Sequence, residues 1–263
     1  MNFRPLFRLL REIGLNPLRL RLVSKLPQYF RDLREWKRKG GTVSTLYPVL
    51  GDRGDQAGSA ASAYFHQDLL VARMIFAAAP VRHVDVGSRI DGFVAHVAVF
   101  RDVEVIDIRP MQSKVRNVRF IKADLMSDDS PLEALTDSLS CLHALEHFGL
   151  GRYGDPIDNE GHIRGFQALI RMLKPGATLY LSFPIGRPAV EFNAHRVFHC
   201  AEVLSWPGAE RLQFSRFDYV DDAANLHENI PLTEIAHECR TLRHGCGIYT
   251  FKRIPEQTDL ALS

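Results

Sequence analysis

Two short stretches bring together residue types able to do chemistry. One is His143-Ala144-Leu145-Glu146-His147, two imidazoles and a carboxylate within five positions at the end of an apolar run. The other is Asp85-Val86-Gly87-Ser88, in which a carboxylate precedes a glycine by two positions at the end of the β-branched run His83-Val84-Asp85-Val86. An imidazole titrates near neutrality, so His147 is the first candidate for a general base, with Glu146 and His195 as the other catalytic candidates. Asp155 and Asp158 lie on the segment that follows, and Arg152, Tyr153 and Asp155 have the chemistry to grip a polar acceptor such as a sugar or polyol. His143-Ala144-Leu145-Glu146-His147 also spells H-x-x-E-H, an inverted zinc-peptidase motif. Zinc would need both histidines on one helix face, whereas His143 closes an apolar strand, so no metal site is expected there. The four cysteines, Cys141, Cys200, Cys239 and Cys246, contain no Cys-x-x-Cys pair and are expected to be reduced and mostly buried.

The elements that must position these residues alternate. Tyr64 to Ala79 has helical periodicity, with Phe65, Leu69, Ala72, Ile75 and Phe76 on one stripe before Pro80. Strands are expected at Arg82 to Val86, Val103 to Ile108, Val118 to Lys122, Ser138 to Leu142 and Ala177 to Phe183. A helix beginning near Phe93 follows the Gly87 turn, and another carries Ile163, Phe166 and Ile170 up to Lys174-Pro175-Gly176. Further on, Ala201 to Trp206 reads as helix, and Arg211 to Val220 and Cys246 to Arg253 read as strands. Strands alternating with helices predict a parallel sheet covered on both faces, and ligands bind such a sheet at the carboxyl ends of its strands.

Asp107 ends the second strand, where one carboxylate can accept from both hydroxyls of a ribose. Its distance from Gly87 suits NAD as well as other adenosine cofactors. The turn separates them. A dinucleotide needs G-x-G-x-x-G so that backbone can approach the pyrophosphate, but Arg89 stands at the second glycine position and Asp85 lies before the first. A fixed carboxylate repels a pyrophosphate and suits the ammonium and sulfonium of S-adenosylmethionine.

The chain resembles the class I S-adenosylmethionine-dependent methyltransferases. The resemblance is carried by Val84-Asp85-Val86-Gly87-Ser88, Val105-Ile106-Asp107-Ile108, Ala123-Asp124-Leu125, Ala144-Leu145-Glu146-His147 and Leu173-Lys174-Pro175-Gly176-Ala177-Thr178-Leu179, in that order over residues 64 to 184. Asp85 to Phe93, His143 to Asp158 and Phe192-Asn193-Ala194-His195-Arg196 look like a methyltransferase-like family catalogued as a domain of unknown function. The resemblance implies a Rossmann-like three-layer sandwich with a seven-stranded, mostly parallel sheet. It implies S-adenosyl-L-methionine as cofactor, with Asp85 and Gly87 at the methionine end, Asp107 at the ribose, Asp124 with Leu125 at the adenine amino group and ring, His143 at the floor beside the sulfonium, and Ser88 and Ile108 among the other cofactor-binding residues. Arg89-Ile90-Asp91 departs from the glycine-rich turn of typical members.

Composition sets the remaining bounds. At 263 residues, 46% hydrophobic and 24% charged, the chain is long enough to bury an α/β core, and its apolar runs are far below a membrane span. Arginines interrupt the apolar residues near the N-terminus, so a secretory signal is not expected and a cytoplasmic location is. A net charge of +2 hides an asymmetry: the first forty positions hold eleven Lys or Arg against three acidic residues. Residues 1–61 are therefore read as a basic helical arm and linker, broken at Pro17 and Pro27, 62–254 as the methyltransferase-like domain and 255–263 as a polar tail. The arm suits a peripheral membrane contact or an acidic protein partner, or it packs its leucines and phenylalanines on the main domain. No nucleic acid is expected. The function expected is O-methylation of a small-molecule or glycan-like acceptor; the alternatives are an NAD-dependent oxidoreductase and a non-catalytic binding protein of the same fold.

Overall fold

The computed structural model describes residue 14 and residues 17–55, 58–127 and 132–255, which fall into two compact units divided between Ser59 and Ala60. Arg4, Arg8, Arg11 and Glu12 of the basic arm, and the tail beyond residue 255, lie outside the described residues. In the first unit a 3-10 segment, Pro17–Lys25, runs into helix α1, Leu26–Arg38. Pro27 does not break this helix. It sits in the first turn, where the amide that proline lacks would have no helical partner. α1 ends at Gly40-Gly41, where Trp36 donates its indole N–H to the Thr42 carbonyl at 3.0 Å. A Cβ on Gly41 would meet that indole nitrogen at 2.2 Å, so a larger residue there would displace the Trp36 side chain. α1 has no buried residue; Leu20, Val23, Phe30 and Trp36 are all exposed.

The second unit is built on an eight-stranded sheet in the order β3-β2-β1-β4-β5-β10-β8-β9. Its parallel part comprises β1 (His83–Val86), β2 (Val103–Asp107), β3 (Val118–Lys122), β4 (Thr136–Leu142) and β5 (Leu173–Ile185). β10 (Gly245–Arg253) runs antiparallel between β5 and β8 (Leu212–Val220). The expected count of seven is exceeded by β9, the two-residue strand Leu226–His227 on the edge of β8. So short a strand has too few residues to show alternation. A separate hairpin pairs β6 (Ala189–Glu191) with β7 (His195–Val197).

Alternation along the strands divides the core. Val84, Val86, Ile106, Leu139, Cys141, Leu179, Leu181 and Phe183 pack with Phe166 and Leu169 of α4, Gly161–Met172. On the other face Val103, Val105, Leu142, Tyr180 and Ile248 pack with α2 (Ala63–Ala78) and with the π turn Ile90–Val94 leading into α3 (Ala95–Ala98). Three layers result. The stripe expected on α2 is corrected: Phe65, Leu69 and Phe76 are exposed, while Gln67, Asp68, Leu70, Val71, Ala72 and Ile75 are buried. Two polar residues lie on the inward face: Gln67 accepts from Ser182 and Cys246, and Asp68 accepts from its neighbour Gln67 at 3.0 Å. Ala201 to Trp206 forms a 3-10 turn, Glu202–Ser205, in place of an α-helix.

Candidate functional site

The carboxyl ends of β1, β2 and β4 open on two adjoining cavities of about 540 Å³ and about 1290 Å³. Gly87, Arg109, His143, His147 and Tyr153 line both. Asp107, Ile108, Asp124 and Leu125 line the smaller; Tyr64, Gln67, Asp68, Ser88 and Arg152 line the larger.

Gly87 makes the first turn. Its φ is +73°, its amide donates to the Ile106 carbonyl at 2.9 Å, and a Cβ would lie 2.7 Å from that of Ala144. Asp85 lies under this turn and lines neither cavity. Its carboxyl accepts the Ser88 amide at 3.1 Å, the Ser88 hydroxyl at 2.8 Å and the Ser140 hydroxyl at 2.6 Å. Burial raises its pKa to about 7 against the pull of the two serines. Its work is to pin the turn between β1 and β4.

Asp107 faces the cavities from the tip of β2, but Arg109 holds it. The Arg109 amide and Nε reach Oδ1 at 2.8 and 3.0 Å, and the terminal nitrogen reaches Oδ2 at 2.5 Å. The same guanidinium stacks 4.3 Å from the Tyr153 ring centroid. Asp124 folds its own loop by accepting the Met126 amide at 2.9 Å. Asp155 accepts the amides of Gly149, Gly151 and Tyr153, which shapes the glycine-rich loop and engages both carboxyl oxygens.

His143 leaves β4 with φ +49°, a conformation that re-aims its ring off the strand. Nδ1 donates to Glu146 Oε1 at 2.9 Å, Nε2 meets Cys246 Sγ at 3.2 Å, and the ring lies 4.7 Å from that of Tyr64. Burial by itself lowers the pKa of His143, but Cys246 and the Glu146 carboxylate outweigh it and raise it well above the ordinary value. Cys246 in turn donates to Gln67 at 3.5 Å, and the Ser182 hydroxyl donates to the same oxygen. Gln67 is on α2 for this network.

His147 is set differently. Its Nδ1–H donates to the Ala194 carbonyl at 2.5 Å, which leaves Nε2 as the lone-pair nitrogen, 3.6 Å from Glu146 Oε1. Burial lowers its pKa below the ordinary imidazole value against the pull of Glu146, which favours the uncharged ring. Glu146 is 1% exposed, and its Oε2 has no hydrogen-bond partner. The Glu146 carboxylate thus hydrogen-bonds one ring of H-x-x-E-H, His143, and lies beyond hydrogen-bond distance of the other, His147. His195 stands on β7 with its ring 6.4 Å from His147 and lines neither cavity.

Arg196, 5% exposed, ties the segment after β4 to β7. Its guanidinium reaches the carbonyls of Glu146, Phe148, Asp158 and Asn159 at 2.6–3.3 Å. Sequence reasoning missed Tyr64, Gln67, Asp68, Arg109, Arg196 and Cys246 as parts of the site. A signal existed for two of them: Gln67 and Asp68 are polar residues set directly before the apolar run Leu69-Leu70-Val71-Ala72.

With the geometry established, solved structures of similar architecture can be set beside it. The [4+2]-cyclase SpnF aligns with a TM-score of 0.51 at 15% identity, over 83% of this chain and 91% of its own. A candidate sarcosine dimethylglycine methyltransferase from Galdieria sulphuraria aligns at 0.50 and 12% identity, covering 73% and 85%. YcgJ from Bacillus subtilis aligns at 0.50 and 13% identity, covering 73% and 99%. The fold is that of the class I methyltransferases. A family model described as a Caenorhabditis protein of unknown function, DUF268, matches residues 102–222, which include β2 to β5 and the H-x-x-E-H stretch of this methyltransferase fold. No curated protein matches the chain in sequence. Among the described residues no helix is long and apolar enough to cross a membrane.

Proposed function

We propose that the chain is an S-adenosylmethionine-dependent methyltransferase acting on an oxygen of a small-molecule or glycan-like acceptor. One observation carries the reading: Gly87, His143 and His147 line both the smaller cavity at the ends of β1 to β3 and the larger, polar one, so a donor in the first and an acceptor in the second would meet at these residues. The residues fit the cofactor. Gly87 lacks the Cβ that would narrow the turn, Asp107 offers two oxygens at the tip of β2, and Ile108, Asp124 and Leu125 line the adenine end. Ser88 lies at the methionine end, and Asp85 supports it from below. When bound, this cofactor supplies an electrophilic methyl group.

The chain's own part is alignment and proton transfer. Neutral His147 takes the acceptor's hydroxyl proton at Nε2, its tautomer fixed by Ala194, and Glu146 stabilises the imidazolium that results. Tyr64, Gln67, Asp68 and Arg152 give the larger cavity donors and acceptors for a hydroxyl-rich molecule. The basic first unit is read as docking on an anionic membrane surface or an acidic partner, which added salt would weaken.

A second reading is favoured by one contact, the Arg109 clasp on Asp107: a binding protein that keeps the fold without turnover. Titration calorimetry with S-adenosylhomocysteine, and separately with NAD, tests the cofactor. NAD binding alone would sink the methyltransferase assignment. Binding of S-adenosylhomocysteine with no methyl transfer to any polyol or glycan tested would favour the second reading.

A further inference from the structure

Away from both cavities, the ligand atoms of His199, Cys200 and Cys239 lie within 4.8 Å of one another. We propose that these three residues bind a soft divalent cation, zinc being the closest chemical match, which clasps the segment after β7 to the turn Cys239–Thr241 before β10. In a tetrahedral zinc site, metal–sulfur bonds of about 2.3 Å place two sulfurs about 3.8 Å apart, with a sulfur and an imidazole nitrogen slightly closer. The cluster therefore needs an adjustment of about 1 Å or less to take the ion. Two thiolates and an imidazole favour zinc over the hard cations calcium and magnesium.

Two further observations show a prepared donor set. His199 uses Nε2–H to donate to the Ala236 carbonyl at 2.9 Å, the outer hydrogen bond that orients an imidazole whose other nitrogen binds a metal. That other nitrogen, Nδ1, is met by the Ala201 amide at a long 3.3 Å. Cys239 Sγ accepts the Cys200 amide at 3.2 Å, a backbone contact that a thiolate ligand would keep, while its S–H, which the metal would displace, points to the Gly186 carbonyl at a long 3.9 Å. Both cysteines are fully buried, and the backbone around them is pinned: Tyr249 donates its hydroxyl to the Cys200 carbonyl at 2.8 Å. Neither functional cavity reaches the cluster, so there is no room for a substrate and the role is structural. Three protein ligands leave the fourth position to water at half-buried His199. The clasp would steady the stretch that carries Ala194, the anchor of His147.

Full-length protein, purified without chelator from zinc-supplemented culture, should contain about one zinc per chain by elemental analysis. Cys200→Ser, Cys239→Ser and His199→Ala should each lose it, while Cys141→Ala keeps it. Cobalt(II) added to the reduced, metal-stripped chain should give thiolate charge-transfer absorption, a readout that needs no activity. His199→Ala leaves both buried cysteines in place and serves where a serine variant does not fold. Three results would overturn the site: no zinc bound on titration into the reduced chain, zinc retained in all three variants, or only two free thiols in the unfolded protein, which would mean a Cys200–Cys239 disulfide.

Discussion

The tips of β1 to β3 and the wall beyond β4 build their halves of the site in opposite ways. At the tips, contacts are mostly local: Asp85 is bonded to Ser88, Asp107 to Arg109 and Asp124 to Met126, each within three residues, and Asp85 alone of the three carboxylates also reaches across to Ser140 on β4. Beyond β4 the partners come from far along the chain. His147 rests on Ala194, His143 on Cys246, and Arg196 on carbonyls 37 to 50 positions away. A cofactor shared by many proteins can be held by short turns whose residues follow one another, but an acceptor pocket must be assembled from elements the fold brings together. The two histidines at the junction show the electrostatic result: the same Glu146 lies 2.9 Å from a ring whose pKa is raised and 3.6 Å from one whose pKa burial lowers.

The hardest test of this division removes the His147 ring. His147→Ala should lower the rate of transfer by about 10² to 10⁴ and leave affinity for S-adenosylhomocysteine near that of the parent protein, since general-base loss acts on the acceptor side. The pH profile gives a second check. The base works only when neutral, and burial depresses its pKa, so activity should persist through pH 6.5 and fall only at lower pH. A fall centred above 6.5, or an unchanged rate in the alanine variant, would transfer the role to another group.

The opposite cut is Asp107→Ala, on the local side. Loss of two charge-assisted hydrogen bonds of about 1.5–3 kcal/mol each should weaken S-adenosylhomocysteine binding by about two orders of magnitude or more. The Tm should barely move, because the carboxylate stands at a strand end facing the cavity. Equal affinity would remove Asp107 from the cofactor's contacts.

How much of this was legible in the sequence follows from the same division. β1, β2 and β3 were readable to within one residue, and the residues lining the smaller cavity, Gly87, Asp107, Ile108, Asp124 and Leu125, could be named because each sits in the turn that it helps to form. Local spacing could not show that Asp85 points under the turn, since its third partner, Ser140, is on β4. Nor could it show the inward face of α2: hydrophobicity favours Phe65 and Phe76, and only the buried Ser182 and Cys246 explain why Gln67 faces in. The Cys200–Cys239 proximity crosses 39 positions, so a search for Cys-x-x-Cys spacing passes over it.

A smaller effect is expected from Arg196→Ala. It frees the buried Glu146 carbonyl and three part-buried ones and removes the tie between β7 and the loop after β4, and an unsatisfied buried group costs about 1–3 kcal/mol. Water entering the vacated space will offset part of this, so a loss of about 2 kcal/mol in denaturant melts is expected. Transfer rate should fall with cofactor affinity retained. Lysine should not rescue it, because one ammonium cannot reach two pairs of carbonyls as the planar fork does. A loss of cofactor affinity equal to the loss of rate would show that the two halves are not separable.

The smallest expected effect decides what Arg109 is for. Its side chain is 44% exposed while Asp107 is 12% exposed, so their pairing is partly screened and contributes on the order of 0.2–1 kcal/mol. A ribose that hydrogen-bonds Asp107 must first displace this guanidinium, which costs that amount at the moment of binding. Arg109→Ala should therefore tighten S-adenosylhomocysteine binding about 1.4- to 5-fold in calorimetry. Stacking on Tyr153 opposes this, because a guanidinium that stays on the ring while releasing Asp107 could cover the bound adenosine. Weaker binding in Arg109→Ala, with Tyr153→Leu weakened to the same degree and no further loss in the double variant, would show that the pair closes over the cofactor. Tighter binding in Arg109→Ala alone would show a latch on the local half of the site, set by a residue two positions from the carboxylate that it guards.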